Sequence, residues 1–222
     1  MQTKKRIILG SASPRRRELL EQIGISFEVR VSDKEEVYHS LIPEEIVKEL
    51  ALSKAENVAD DLREKQEQVK QISFDKKNNV LLDTIVIGAD TIVVSDGSIL
   101  GKPKDEADAV RMIRSLQGRS HKVYTGVAIL DYDDEGKRKS VVHAVETEVF
   151  VNPMSDEEIR EYAATGEPLD KAGAYGIQGQ FAAYIERIDG DYYNVVGLPV
   201  SYVYRQLKEI AGRTDGGTAM PI

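Results

Sequence analysis

Ile85-Val-Ile-Gly-Ala-Asp-Thr-Ile-Val-Val94 predicts a central strand that is buried on both faces. Its apolar side chains are mostly β-branched, which is typical of strands covered by helices. An ionised carboxylate in such a strand is unfavourable unless a cation, a metal or a hydrogen-bond donor meets it. Asp90 is therefore the first candidate functional residue.

A tight hairpin is predicted directly after this strand. Asp96-Gly97 suits the positive φ values of a type I′ turn, and counting back from it sets Thr91 opposite Lys102. The hairpin would therefore bring the ammonium of Lys102 close to the carboxylate of Asp90. An ion pair that merely closes the hairpin and a ligand-binding site both explain this arrangement.

Composition limits both the architecture and the chemistry. The chain has 222 residues, of which 41% are hydrophobic and 31% charged, which predicts one domain or two tightly joined lobes. We expect this domain to cover residues 1–211 and residues 212–222 to be a disordered tail, because the tail lacks apolar periodicity.

Several classes of function are unsupported by the composition. The chain has no cysteine and three scattered histidines, so any metal must be held by carboxylates, as Mg²⁺ or Mn²⁺ would be. A net charge of −8 argues against general nucleic-acid binding. Neither a membrane span nor a signal-peptide core is recognisable, so a cytoplasmic protein without membrane contact is the default expectation.

The first helix is predicted to begin with an unusual cluster of positive charge. Ser13 is a good N-cap, Pro14 suits the first helical position, and Arg15, Arg16 and Arg17 follow. Arginines are unfavourable at the positive end of a helix unless an anion binds there. This cluster of arginines is explained either by a phosphate-binding site or by a solvated basic turn.

A long helix is predicted from Pro43 to Gln71, with Lys54 on its apolar stripe. A lysine in this position either extends to water or points into a cleft to meet an anion. The acidic pair Glu35-Glu36 precedes this helix on a loop, where carboxylates are often only solvated.

The remaining pattern alternates helices with antiparallel strands. Helices are predicted over 105–116, 155–166 and 199–210, and strands over 6–9, 27–31, 121–132, 137–151 and 181–188. His121 is interpreted as a strand residue rather than a ligand. The glycine-rich loop Glu167–Gly179 carries Gln178, whose amide could read a nucleobase edge, although an ordinary crossover is the alternative.

Familiar nucleotide motifs are absent from the sequence. Gly97-Ser-Ile-Leu-Gly-Lys-Pro103 is one residue too short for a Walker loop, and no Gly-x-Gly or Gly-x-Ser-x-Gly occurs. What remains is a set of cations and a set of carboxylates on separate elements. Their convergence would make a site for a polyphosphate and a divalent metal, with a carboxylate to activate water.

Six motifs together resemble the Maf family. They occur in the family's order between residues 6 and 211 and are Ser11-Ala-Ser-Pro-Arg-Arg, Gly88-Ala-Asp-Thr, Gly101-Lys-Pro, Gly118 with His121 and Thr125-Gly126, Asp170-Lys-Ala-Gly-Ala-Tyr-Gly-Ile-Gln-Gly179, and Gly190-Asp-Tyr-Tyr-Asn-Val-Val-Gly-Leu-Pro199. The main departure is a longer stretch around residues 60–83.

The resemblance implies an α/β fold with an elongated mixed β-sheet flanked by helices and two lobes around a cleft, similar to inosine triphosphate pyrophosphatases. It also implies hydrolysis of a nucleoside triphosphate to the monophosphate and pyrophosphate with a divalent cation. Members that act on dTTP and UTP carry Arg, Thr and Gln at three specificity positions, as this chain does at Arg15, Thr91 and Gln178. A homodimer is a possible assembly.

The resemblance also assigns roles by position. Asp90 matches the family's proton acceptor. The other matched cleft positions are expected to hold phosphates, at Ser11, Arg16, Lys54 and Lys102, or the metal, at Glu36 together with Asp90. Glu35 is the alternative to Glu36, because the assignment depends on alignment across a loop.

The resulting hypothesis is metal-assisted attack of water at the α-phosphorus, with Asp90 accepting the proton. One alternative is a non-catalytic nucleotide-binding regulator of cell division and septum formation. Another is a phosphatase that removes only the terminal phosphate. The products separate the three hypotheses. Pyrophosphate indicates the proposed hydrolysis, the absence of any product indicates a non-catalytic regulator, and orthophosphate indicates a terminal phosphatase.

Overall fold

The computed structural model describes residues 5–34, 37–72, 81–133 and 135–214. The strands are β1 (Arg6–Leu9), β2 (Glu28–Val29), β3 (Thr84–Ser95), β4 (Ser98–Leu100), β5 (Ser120–Tyr132), β6 (Arg138–Val151) and β7 (Ile185–Asp189). The helices are α1 (Pro14–Gln22), α2 (Pro43–Ile72), α3 (Glu106–Leu116), α4 (Asp156–Ala164), α5 (Tyr192–Val196) and α6 (Val200–Thr214).

The strands form one mixed sheet of seven strands in the order β2-β1-β3-β5-β6-β7, with β4 paired to β3. The α2 helix covers one face, and α1, α3, α4 and α6 contribute to the apolar cluster on the other. The predicted mixed α/β fold, with its sheet flanked by helices, is confirmed.

The predicted central strand is the β3 strand, and its side chains alternate between two cores. Val86 lies in the α2 core, whereas Ile85 and Ile87 lie in the core on the opposite face. Alternation along a strand therefore directs Asp90 toward α2 and Thr91 toward the opposite face. These two neighbours thus belong to different sides of the sheet.

The α2 helix lies directly on the sheet because two strand positions have no side chain. A Cβ on Gly88 would lie 2.2 Å from the carbonyl oxygen of Ala51, and one on Gly126 would lie 2.0 Å from that of Val47. Any larger residue at either position would push the helix away. This close approach brings Lys54 over the strand at Asp90.

One edge of the β3 strand is left uncovered in its middle. The β1 strand pairs in parallel with residues 84–87, and β4 pairs antiparallel with residues 93–95. None of the described strands pairs with residues 88–92 on this edge, which include Asp90 and Thr91. The gap between the two partner strands opens a cleft at these residues.

The sequence predictions for the local elements are largely confirmed. Asp96 and Gly97 have φ values of 49° and 74° and join Ser95 to Ser98, as a type I′ hairpin requires. The helix predicted over residues 43–71 ends one residue later, at Ile72. Ser13 caps α1 and Ser155 forms a capping box at α4.

Three predictions need correction. The strand expected over residues 27–31 is only Glu28–Val29. Residues Gln180–Tyr184 form a 3₁₀ helix ahead of β7, in which Phe181 is fully buried against other aromatic rings. The last helix continues to Thr214, so the start of the expected tail is helical, and residues 215–222 lie outside the described ranges.

None of the helices in the described ranges combines the length and the apolar character that crossing a membrane requires.

Candidate active site

The cleft at the uncovered edge of β3 has a volume of about 570 Å³. This is the size range of pockets that hold small molecules. The eight described residues of the predicted site all line it, namely Ser11, Arg15, Arg16, Lys54, Asp90, Thr91, Lys102 and Gln178. The predicted Glu36 and its alternative Glu35 lie outside the described residues.

Asp90 and Lys54 form an ion pair in this cleft. Lys54 Nζ lies 2.5 Å from Asp90 Oδ1, and the two side chains are only 18% and 16% exposed. Lys54 therefore points into the cleft rather than to bulk water. The other carboxylate oxygen, Oδ2, has no hydrogen-bond partner within the described part of the chain, so it is available to a ligand or a water molecule.

The predicted contact between Lys102 and Asp90 is replaced by the pair with Lys54. The β4 strand ends at Leu100, and the carbonyl of Gly101 accepts a hydrogen bond of 3.0 Å from Gly173 N. The chain thus leaves the hairpin before Lys102 can lie opposite β3. Lys102 is exposed and lines the cleft instead.

Arg16 is buried and its guanidinium is held by protein oxygens. It is 8% exposed, and it donates through Nε to the Gly197 carbonyl at 2.8 Å, through Nη1 to Ser11 Oγ at 2.9 Å and through Nη2 to Thr91 Oγ1 at 3.0 Å. These bonds join the start of α1 to β3 and to the loop after α5. Arg16 therefore fixes the shape of one cleft wall as well as contributing its charge.

Thr91 belongs to a chain of hydroxyl groups. Thr125 Oγ1 donates to the carbonyl of Asn194 at 2.9 Å, and the two threonine hydroxyls lie 2.9 Å apart. Because the single proton of Thr125 is already committed, Thr91 must donate in the second bond. Thr91 thus keeps acceptor capacity for a ligand but has no proton to offer.

Asn194 anchors this chain in the core. It is fully buried, and its amide donates to the Val123 carbonyl at 3.1 Å and to Thr147 Oγ1 at 2.9 Å. The sequence analysis places Asn194 and Thr125 within two of the six motifs but assigns neither residue a role. A signal was present, because Asn194 stands between Tyr192-Tyr193 and Val195-Val196 and a polar residue in an apolar run needs a buried partner.

The outer part of the cleft carries more exposed polar groups. Arg15 Nη1 lies 3.4 Å from Asp170 Oδ2, and the two side chains are 29% and 61% exposed. Gln178 is exposed and its loop forms part of the cleft. These side chains are therefore accessible to a ligand entering from solvent.

His121 is a structural residue, as the sequence analysis interprets it. It is 3% exposed, and its Nε2 lies 2.7 Å from the hydroxyl of Tyr175, which lines the cleft. Burial lowers the pKa of His121 from 6.5 to about 4, so the ring is neutral at physiological pH. No group of three or more His, Cys, Asp or Glu residues that could hold a metal occurs among the described residues.

Comparison with known proteins identifies relatives that span most of the chain. A dTTP/UTP pyrophosphatase of Agathobacter rectalis is 46% identical over 204 residues, which are 92% of this chain and 97% of that protein. Proteins of the same name from Bacillus cereus and Dictyoglomus turgidum are 48% and 47% identical over 92% and 89% of this chain, and over 90% and 92% of their own lengths.

A solved structure of a nucleoside-triphosphatase / dITP/XTP pyrophosphatase from Mycobacterium abscessus is 17% identical, with a TM-score of 0.31 over 65% of this chain and 72% of that chain. Residues 6–210 match the family described as Maf-like protein. With this match and relatives of nearly half identity over most of its length, the chain belongs to the Maf family.

Proposed function

We propose that this chain hydrolyses dTTP and UTP to the nucleoside monophosphate and pyrophosphate. The observation that carries the proposal is the Asp90 carboxylate, paired with Lys54 and with one oxygen available, in a cleft that cations line. The three relatives described above are named for this activity.

In the proposed reaction Asp90 accepts the proton of the attacking water. The ammonium of Lys54 lies beside this carboxylate and offsets its negative charge. Water then attacks the α-phosphorus and pyrophosphate leaves. Lys102 offsets charge on the leaving phosphates from the open side of the cleft, and Arg16 does so from the buried wall.

The donor set of the cleft fits a hard divalent cation. Mg²⁺ is typically bound by one or two carboxylates together with phosphate oxygens of the substrate, so a cage made only of protein ligands is not required. We propose that Asp90 binds Mg²⁺ or Mn²⁺ and that Glu36 supplies a second carboxylate. The cation would polarise the phosphate and reduce its negative charge.

We propose that Gln178 and Arg15 select the base. The edge of uracil or thymine presents two carbonyl acceptors beside one N–H donor, and an amide that offers both a donor and an acceptor can pair with it. Thr91 contributes as an acceptor and by fixing the adjacent wall. A base with a different edge leaves these groups unpaired, which lowers its rate.

The test is analysis of the products from dTTP, UTP, dCTP, GTP and 7-methyl-GTP with Mg²⁺ or Mn²⁺, for the wild type and for Asp90→Asn. We expect pyrophosphate and monophosphate from dTTP and UTP, and a loss of about 1,000-fold in kcat in the variant. Unchanged thermal unfolding and nucleotide binding would show that the variant is folded.

Other outcomes would replace the proposal. Orthophosphate would identify a terminal phosphatase. Nucleotide binding without any product would favour a non-catalytic regulator of cell division, and near-normal turnover of Asp90→Asn would remove Asp90 as the base.

We further propose a cytoplasmic enzyme that acts on free nucleotides and binds neither nucleic acid nor membrane. The net charge of −8 supports this view. Cell fractionation tests the location, a nucleic-acid shift assay and vesicle co-sedimentation test the binding, and light scattering during size-exclusion chromatography tests the predicted homodimer.

A further inference from the structure

Glu167 lies behind the loop that carries Gln178. It begins the 3₁₀ turn Glu167–Asp170, is half-buried, and is not among the residues that line the cleft. The loop Gly176–Gly179 does line the cleft and places Gln178 there. Glu167 therefore influences the cleft through this loop rather than by lining it.

Both carboxylate oxygens of Glu167 are used to hold the loop. Gln180 N, just after the loop, donates to Oε2 at 3.0 Å. The Tyr162 hydroxyl donates to Oε1 at 3.0 Å and lies 3.4 Å from Gly176 N, at the start of the loop. One buried tyrosine and one carboxylate thus hold the two ends of the loop.

The loop is also wrapped tightly around these side chains. A Cβ on Gly179 would lie 2.1 Å from Glu167 Oε1, and a Cβ on Gly176 would lie 2.7 Å from Lys171 Cε. A side chain at either glycine would therefore displace the end of Glu167 or of Lys171 from its present place. The loop that carries Gln178 thus packs directly against the side chains of Glu167 and Lys171.

The same group of residues extends to Arg15. Lys171 Nζ donates to the Glu167 carbonyl at 2.6 Å and to Asp170 Oδ1 at 2.7 Å, and Asp170 is the ion-pair partner of Arg15. Gln178 and Arg15, two proposed specificity residues on different elements, are thus both connected to the turn that begins at Glu167.

We propose that Glu167 is a positioning residue for base selection, whose carboxylate acts by holding the Gln178 loop. This inference rests on the proposed function. A loop that moves by even about 1 Å weakens hydrogen bonds to the base while leaving Asp90 and Lys54 in place. Loss of Glu167 should therefore affect discrimination between bases more than the chemical step.

The experiment compares kcat and KM for dTTP, UTP and dCTP among the wild type, Glu167→Ala and the control Glu161→Ala. Glu161 is an exposed glutamate of the α4 helix, and its carboxylate forms no hydrogen bond or ion pair with any of the described residues. We expect Glu167→Ala to raise KM for dTTP and UTP about tenfold. The preference over dCTP should fall by a similar factor, while kcat at saturation and all values for Glu161→Ala change little.

Two further variants keep the test informative. Tyr162→Phe removes the hydroxyl that reaches Gly176 but leaves the carboxylate, and should lower the preference in the same direction by a smaller factor. Glu167→Gln keeps an acceptor oxygen and should recover part of the preference. If Glu167→Ala does not fold, these two variants decide whether Glu167 is a positioning residue.

The outcomes separate the two proposals. If the wild type releases no pyrophosphate, the proposed function fails. If the wild type prefers dTTP and UTP and the Glu167 and Tyr162 variants keep the same preference, only the positioning role fails. A lower melting temperature with an unchanged preference would likewise reduce Glu167 to a structural residue.

Discussion

The cleft has two sides that hold their polar groups differently. On one side a buried network, formed by Ser11, Arg16, Thr91, Thr125 and Asn194, is linked by hydrogen bonds between protein groups. On the other side a rim, formed by Arg15, Lys102 and Gln178, is exposed or half-buried. The comparison shows that similar residue types have different roles. The network forms the wall of the cleft, and the rim is accessible to the ligand.

Arg15 and Arg16 are adjacent arginines on opposite sides of this comparison. Arg16→Ala should lower the free energy of unfolding by about 4 kcal/mol, because three hydrogen bonds to protein oxygens are lost. Arg15→Ala should change it by less than about 0.5 kcal/mol, because its ion pair with Asp170 is exposed. Urea denaturation of both variants checks the contrast, and equal effects would remove the distinction between network and rim.

His121, which is buried behind the cleft residue Tyr175, should make stability depend on pH. His121 binds its proton only below about pH 4 in the folded protein, against 6.5 in an unfolded chain, because burial disfavours the charged ring. As pH falls from 6.5 to 4, the unfolded state gains a proton that the folded state does not, so stability decreases. The expected loss from this residue is about 3 kcal/mol, and it levels off below pH 4.

Denaturation at pH 7, 5.5 and 4 tests this effect. His121→Gln should have a shallower loss of stability toward low pH than the wild type. The matched control is His39→Gln, because the His39 side chain is 86% exposed. If His121→Gln and His39→Gln lose stability equally steeply as the pH falls, burial of His121 does not contribute to the pH dependence of stability.

The smallest effect on stability is expected at the rim. Gln178→Ala removes an exposed amide and should change the free energy of unfolding by less than about 0.5 kcal/mol. Its preference for dTTP and UTP over dCTP should nevertheless fall, because the proposed contact with the base is lost. Thermal denaturation and the ratio of kcat/KM values measure the two effects separately. Destabilisation by more than about 2 kcal/mol would place Gln178 with the network instead.

Local chemistry predicted the elements that short sequence patterns control. The hairpin at Asp96-Gly97 and the caps at Ser13 and Ser155 occur where the sequence places them. The segment at Phe181 was predicted as strand because a short apolar run suits either a strand or a tight helix. In the folded chain this segment is a 3₁₀ helix, and Phe181 packs against the rings of Tyr162 and Tyr175, which come from other parts of the chain.

Local sequence patterns also predicted several residues of the candidate site. A carboxylate in an apolar strand and arginines at the start of a helix each require a partner. Which partner each one meets was decided by the tertiary structure. The pair of Lys54 with Asp90 spans 36 positions and the bond of Arg16 to Gly197 spans 181.

These contacts depend on how helices pack on the sheet and where strand pairing ends. The α2 helix approaches the sheet closely at Gly88 and Gly126, which places Lys54 next to Asp90. The β4 strand ends at Leu100, which leaves Lys102 at the rim of the cleft. The sequence by itself therefore determined which groups need a partner, since burial of charge is a local cost. Packing over long distances in the chain determined which partner each group has.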